Sequence, residues 1–317
     1  MNNELLQDPH SPHKIQVTLG VMLVLFALFF GAGKEELAVH KTTPIHKGTI
    51  NPYKVISLEA QSAIVFDINT GRILYRQHET DQLPLASLAK LLTAIVATEN
   101  IDADESVIIT KSAIAKEGDS GFLTGELWNP SDLIALTLIT SSNDGAVALA
   151  EAVSLLGKKE DINAQDIFSY KILETIQRAN LDQTYLLDPS GLDISSEISG
   201  AYGSAYDVAK LFAYIMEHHP QILEETTHKE KTLTSLSNYV HSATNTNELV
   251  NTLPAVIGSK TGFTYLAGGN LAVAFDAGLA RPMVVVVLGS SREGRFSDVA
   301  QLIWATFEYL EYTEQDK

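Results

Sequence analysis

Apolar and polar positions divide the 317-residue chain into stretches of different rhythm. Ile15–Gly33 is apolar all round and carries no charge, about the 18–20 residues that span a bilayer. Residues 34–57, with Pro44, Gly48 and Pro52, show no periodicity and read as a tether. Ala63–Ile68 and Arg72–Arg76 are short β-type runs around Asn69-Thr70-Gly71, which predicts a hairpin with glycine where positive φ is needed. From Pro84 to Val96 the chain is apolar, free of glycine and rich in Leu and Ala, which predicts a helix. Val107–Thr110 reads as a short strand, and Gly118, Gly121 and Gly125 mark irregular chain. A helical block follows: Leu133–Ile139 opened by Pro130 with Ser131 as cap, then Ala146–Leu156, Ala164–Arg178 and Ala205–Met216. Strand rhythm returns at Ala255–Thr264, Asn270–Phe275 and Pro282–Leu288, and a helix over Arg295–Leu310 closes the chain. Strands at both ends around a helical block predict one sheet built from both termini, with helices on its faces.

Charge and composition narrow the possibilities. A net charge of −17 with only 22 Lys and Arg excludes a nucleic-acid partner and docking on anionic lipid by charge alone. The absence of cysteine excludes disulfides, thiolate metal sites and cysteine nucleophiles. At the N-terminus, Lys14 precedes the apolar run and Lys34, Glu35 and Glu36 follow it. It is either a single-span anchor or a signal segment cut near Gly31-Ala32-Gly33. Its length exceeds the usual apolar core of a signal peptide, which favours the anchor. The organisation expected is therefore a tail (1–14), an anchor or signal segment (15–33), a tether (34–57) and a single domain (58–317) whose stretch from about 130 to 250 is mostly helical.

Three clusters carry candidate chemistry. Ser87 and Lys90 lie three residues apart, so on a helix they share a face. An amine in so apolar a wall loses charge to desolvation and becomes a base beside a nucleophilic hydroxyl. Spacing alone does not identify a site, since Ser11-Pro12-His13-Lys14 repeats it in the tail. Ser141-Ser142-Asn143 sits in the turn between two predicted helices, where it can serve as helix punctuation or point a hydroxyl and an amide into a cleft. Lys260-Thr261-Gly262 lies within a β-type run. Glycine there marks a bulge or lets a substrate backbone approach, and the Lys and Thr offer a cation and a hydroxyl to a carboxylate.

The three clusters, in this order, resemble the motif trio of the penicillin-binding proteins and class A β-lactamases. The chain is most similar to the low-molecular-mass penicillin-binding proteins, the serine D-alanyl-D-alanine carboxypeptidases. The similarity runs from about Ala60 to the last helix and includes Asp67, Gly71, Asn143-Asp144, Pro189–Asp193, Asn245-Thr246-Asn247 and Gly258–Ala272. It implies an α+β, DD-peptidase/β-lactamase-like fold: an antiparallel sheet from both chain ends, flanked by helices, with an all-helical insert. It also implies roles. Ser87 is acylated, Lys90 is its base, Ser141 relays a proton to the leaving amine, and Asn143 orients Lys90 and the substrate amide. Lys260 and Thr261, with Gly262 and Phe263 on the same strand, bind the substrate and its terminal carboxylate, and the N–H groups of Ser87 and Phe263 form the oxyanion hole. Partners implied are peptidoglycan stem peptides, β-lactams as covalent inhibitors, and a bilayer through the N-terminal segment, with the catalytic domain on the extracytoplasmic side. No cofactor or metal is implied. The family often has Ala after Asn-Asp; Gly145 stands there, which loosens the helix start and leaves the chemistry intact.

Other activities fit less well. The same residues serve a D,D-endopeptidase that cuts D-Ala cross-links, and this alternative stays open. A β-lactamase needs a Glu-x-x-Leu-Asn loop after the second motif; Glu174 is followed instead by Thr175-Ile176-Gln177 in a helical pattern. A non-catalytic β-lactam sensor would not need an intact Ser87, Lys90, Ser141 and Lys260. A zinc peptidase would need His-Glu-x-x-His on a helix, whereas His218, His219 and His228 fall in an acidic loop.

Overall fold

The computed structural model describes residues 51–156 and 164–315. Five strands form the central sheet: β1 (Ser62–Asp67), β2 (Ile73–Gln77), β3 (Val256–Thr264), β4 (Gly268–Asp276) and β5 (Pro282–Ser290). Their order is β3-β4-β5-β1-β2, every neighbour antiparallel, so the two ends of the domain meet at the β1–β5 pair, with Ile64 opposite Val286 and Val65 opposite Val285. The β1, β4 and β5 runs are largely apolar without alternation because both faces are covered. Ile64, Phe66, Val284, Val286 and Leu288 face the helical core, whereas Ala63, Val65, Met283, Val285 and Val287 pack with Val299, Leu302 and Ile303 on the other side.

Of six longer helices, α1 (Lys90–Asn100), α2 (Pro130–Thr140), α3 (Asn143–Leu156) and α4 (Ala164–Arg178) pack on one another, whereas α5 (Ala205–His218) and α6 (Gly294–Gln315) lie against the sheet. α1 is the spine of the helical core; every residue from Lys90 to Ala97 is buried. The cap of α2 is Asn129, whose side chain accepts the N–H of Ser131; Ser131 is not the cap, because Pro130 already occupies the first helical position.

Two further expectations are corrected. The insert is not all helical. It carries a hairpin, Glu230–Thr234 against Val240–Thr244, and short strands at Tyr185–Leu186 and Ala201–Gly203. Each hairpin strand buries one apolar side chain, Leu233 or Ala243, so no alternation of apolar residues announces it. The tether also ends earlier than residue 57. Pro52–Val55 forms a 3₁₀ turn, and Tyr53 is buried with its hydroxyl 2.8 Å from that of Thr306 on α6. Among the described residues no helix is long and apolar enough to cross a membrane, and the Ile15–Gly33 run lies outside them.

Candidate active site

The first wall of the site is the turn that leads into α1. Ala86 has φ 49°, a region L-residues seldom occupy, and Ala86–Ala89 then winds as a 3₁₀ turn. Gly191 makes this possible: a Cβ there would sit 2.0 Å from the Ala86 carbonyl oxygen. Lys90 is fully buried, and its Nζ lies 2.8 Å from Ser87 Oγ, 2.7 Å from Asn143 Oδ1 and 2.7 Å from the Ser190 carbonyl. Asn143 is oriented by its Nδ2, which donates to the Glu117 carbonyl at 2.6 Å, leaving Oδ1 toward the lysine. Burial brings the Lys90 pKa down to about 7, against the opposing pull of Asp188 and Asp144.

These contacts dictate the hydrogen-bond sense. A neutral amine has two N–H donors and one lone pair. Asn143 Oδ1 and the Ser190 carbonyl can only accept, so they take both donors. The lone pair is left to receive the Ser87 hydroxyl proton, which is the arrangement of a base beside a nucleophile.

The second wall is the α2–α3 turn. Ser141 has φ 62° and ends α2; Asn143 begins α3, three residues earlier than the pattern predicted. Ser141 and Asn143 face the cleft, whereas Ser142 points inward, accepting the Gly145 N–H at 2.9 Å and lying 2.6 Å from Ser120 Oγ. Gly145 does not loosen the helix: a Cβ there would fall 2.2 Å from Thr137 Oγ1, so the threonine hydroxyl fills the space of the missing methyl.

β3 forms the third wall, at the edge of the sheet, where its free side can receive an extended peptide. Lys260 is buried and donates to Ser141 Oγ at 2.8 Å and to the Thr261 carbonyl at 2.9 Å. Burial holds its pKa well below that of a free lysine, and the charges of Lys90 and Arg295 lower it further. Thr261 Oγ1 is 2.5 Å from Thr246 Oγ1. The glycine at 262 serves the protein's own packing: a Cβ would lie 2.9 Å from the Leu85 carbonyl and 3.2 Å from the Ser87 nitrogen, forcing the strand off the nucleophile turn. Phe263 lies under the Arg292 guanidinium, 4.1 Å from the ring centroid. All eight residues singled out in the sequence therefore fall on these three walls.

Several supporting groups had no assigned role in the sequence. Ser190 and Thr246 belong to segments that the resemblance included without a function, and Asp188 directly precedes the first of them. Asp188 accepts the Ser190 N–H at 2.8 Å and pairs with Lys116 Nζ at 3.0 Å. Burial would raise its pKa, but the bonds from Ser190 and Lys116 outweigh that and keep it below the usual carboxylate range. Arg295, buried on α6, donates Nη1 to the Gly262 carbonyl at 2.7 Å; no local pattern marks it. Of the histidines expected in a loop, His218 instead ends α5, while His219, just beyond the helix, places Nε2 2.9 Å from Glu99 Oε1.

A seryl hydroxyl on a buried lysine, opposite a second Ser–Lys contact on an edge strand, within this sheet-and-helix frame, defines the serine DD-peptidase class. The sequence pattern of the D-alanyl-D-alanine carboxypeptidase family matches residues 48–292, and the chain belongs to that family. It is 28% identical over 259 residues to the D-alanyl-D-alanine carboxypeptidase DacF of Bacillus subtilis, covering 80% of this chain and 63% of that protein, so it spans less than two thirds of that relative. It is 26% identical over 250 residues to a D-alanyl-D-alanine endopeptidase of Pseudomonas aeruginosa, covering 77% of this chain and 76% of the other. Among solved structures, penicillin-binding protein D2 of Listeria monocytogenes in its cefotaxime-bound form superposes with a TM-score of 0.65 at 25% identity, over 80% of this chain and 98% of that one.

Proposed function

We propose that the protein is a serine D,D-carboxypeptidase that removes the terminal D-alanine from peptidoglycan stem pentapeptides. The observation that carries this reading is the position of Lys90 Nζ, shared between Ser87, Asn143 and Ser190 with its lone pair on the hydroxyl. Ser87 attacks the carbonyl of the D-Ala-D-Ala bond, and Lys90 takes its proton. The N–H groups of Ser87 and Phe263 hold the oxyanion, where loss of one donor costs about 3 kcal/mol of barrier. Ser141, hydrogen-bonded to Lys260, passes a proton to the leaving amine; Lys260, Thr261 and the nearby Arg295 bind its carboxylate. Water then hydrolyses the ester on Ser87.

A β-lactam presents an amide and a carboxylate in the same relation and acylates Ser87; the cefotaxime-bound relative supports this. No carboxylate contacts Ser87 or Lys90 among the described residues, which favours a slow-releasing acyl-enzyme over a β-lactamase. The uncharged Ile15–Gly33 run supports a single span that holds the domain on the extracytoplasmic side, where its substrate lies.

Mass spectrometry of a pentapeptide incubated with the protein tests the activity: D-alanine is released, and Ser87→Ala abolishes release. An unchanged pentapeptide, or full activity in Ser87→Ala, refutes it. Protease treatment of intact cells and spheroplasts tests the orientation, since the proposal requires cleavage from outside the membrane.

A further inference from the structure

Beside the nucleophile turn, Leu83–Pro84, Ala201–Gly203 and Tyr185–Leu186 form a small sheet, in that order, whose outer face takes no part in the proposed chemistry. Pro84 pairs with Tyr202 and Tyr202 with Tyr185, so the three side chains line up on one face. Ala201 and Gly203 point inward: both are buried, and a Cβ on Gly203 would meet Thr184 Oγ1 at 2.8 Å. Tyr202 and Tyr185 are therefore turned outward, and they stack with ring centroids 5.0 Å apart and planes 22° from parallel. Tyr202 is fixed at its tip, where the hydroxyl oxygen accepts the Ser199 N–H at 2.9 Å; the Tyr185 ring is 40% exposed.

This face lies on the acyl side of the cleft. In the proposed reaction Lys260 and Thr261 take the leaving carboxylate, and β3 runs from them past Phe263, whose N–H holds the oxyanion, to Thr264. There Asp193 bounds the cleft, accepting the Thr264 hydroxyl at 2.9 Å and the Leu266 N–H at 3.2 Å. Asp193 belongs to the 187–200 loop, which carries Ser190 and springs from the two tyrosine strands. The loop is closed on itself: the Leu187 N–H donates to the Gly200 carbonyl and the Ile194 N–H to the Ile198 carbonyl, both at 2.8 Å. Leu187, Ile194 and Ile198 nevertheless leave about half of their surface open. An acyl donor running away from the leaving group meets this loop and then the tyrosines.

The reach fits a stem peptide. Neighbouring strands are about 4.8 Å apart, so the Tyr185 backbone lies about 10 Å from Pro84. Ser87 follows Pro84 by three residues, which is at most about 11 Å of chain. A peptide extended from its fourth residue back to its first spans about 14 Å, and the sugar that carries it adds several ångströms more.

We propose that the Tyr185–Tyr202 stack is a sugar subsite, which holds an N-acetylated aminosugar of the glycan strand while the attached stem peptide occupies the cleft. The reading rests on Ser87 being the acylated residue. A pyranose presents an apolar C–H face ringed by hydroxyls, and the tyrosine pair offers the matching surface, a flat apolar body with polar tips. The glycan backbone is uncharged, so a protein of net charge −17 does not repel it. A platform fixed before binding loses little ordering entropy on complex formation. The protein accordingly acts on stem peptides attached to glycan in preference to free ones.

The test compares a free pentapeptide with the same pentapeptide on an un-cross-linked glycan strand. Release of D-alanine is followed by mass spectrometry and Ser87 acylation by a fluorescent penicillin. Glycan strands stripped of peptide, titrated calorimetrically, probe the platform alone. Wild type should hydrolyse the glycan-linked substrate with at least ten-fold higher kcat/KM. Tyr185→Ala should lose that advantage and bind stripped strands at least ten-fold more weakly, with free-pentapeptide hydrolysis and penicillin acylation within two-fold of wild type. Tyr185→Phe, which keeps the ring, should retain both the advantage and the binding. Equal wild-type activity on the two substrates overturns the inference, as do stripped strands that fail to bind wild type or bind Tyr185→Ala equally well. Absence of penicillin acylation in the wild type overturns the assignment of Ser87 instead, and the stripped-strand titration still decides the platform.

Discussion

At the scale of single residues, the protonation of Lys90 sets the pH dependence. With its pKa lowered to about 7, the amine is a neutral base above that pH and an ammonium below it. Acylation by a fluorescent penicillin should therefore fall as pH drops through 7, and a flat profile down to pH 5 would rule Lys90 out as the base. The Lys116–Asp188 pair gives two changes of opposite sign. Asp188 favours protonated Lys90, so Asp188→Asn should move the acid limb to lower pH. Lys116→Met leaves Asp188 uncompensated and should move it to higher pH, each by about a unit or less. Shifts in the same direction would refute the coupling. Gly145 offers a packing test. Gly145→Ala drives a methyl into Thr137 Oγ1, a hydroxyl with no hydrogen-bond partner, and should cost about 1–3 kcal/mol in denaturant unfolding. Adding Thr137→Ala should restore most of that loss; if the double variant is no better than the single, the hydroxyl is not the obstacle.

Among the elements, the β1–β2 turn is fixed to the β4–β5 turn by one ion pair. Arg281 donates Nε and Nη2 to Asp67 Oδ2 at 3.0 and 2.9 Å, and Asp67 Oδ1 accepts the Thr70 N–H at 3.1 Å. Burial would raise the Asp67 pKa, but the bonds from Arg281 and Thr70 prevail and keep it below the usual value. Removing Asp67 leaves Arg281, which is partly open to solvent, without its partner, so Asp67→Ala should destabilise the domain by about 1–3 kcal/mol. Because the folded pKa is depressed, the contribution of this pair is complete above the ordinary aspartate range and fades as pH falls through the folded value. Thermal melts of wild type and variant should therefore converge toward strong acid, and a constant gap would contradict the ion-pair account.

For the whole molecule, two buried lysines beside each other are a stability cost retained for chemistry. Lys90→Met replaces an ammonium-forming group with an apolar side chain of similar length and should raise the melting temperature while abolishing acylation. The folded pKa of Lys90 lies below its unfolded value, so the native state holds fewer protons between pH 7 and about 10. The penalty is therefore full below pH 7 and shrinks as pH rises. The variant's advantage should be largest near or below neutrality and decline toward pH 10; a variant less stable than wild type at pH 7 would show that the hydrogen bonds of Lys90 outweigh its desolvation.

The amino-acid sequence by itself determined the sheet, most helices and the three polar clusters. A strand buried on both faces, such as Val284–Leu288, must be apolar throughout, and α4 shows its full amphipathic period, so Ala164–Arg178 was legible to the residue. It also determined that Ser87 and Lys90 share one turn of chain, because three residues of helix leave little freedom. What only the tertiary structure decided were the contacts between distant segments. Asn143 reaches Lys90 across 53 positions and Ser190 across 100, and the latter is a backbone carbonyl that no side-chain motif can announce. Gly262 and Gly191 have their reason in the approach of other strands and turns, and the polar hairpin at 230–244 has no apolar rhythm to betray it. At Ser87 and Lys90 those contacts remove water from the amine. Burial, and not spacing, is what lowers its pKa.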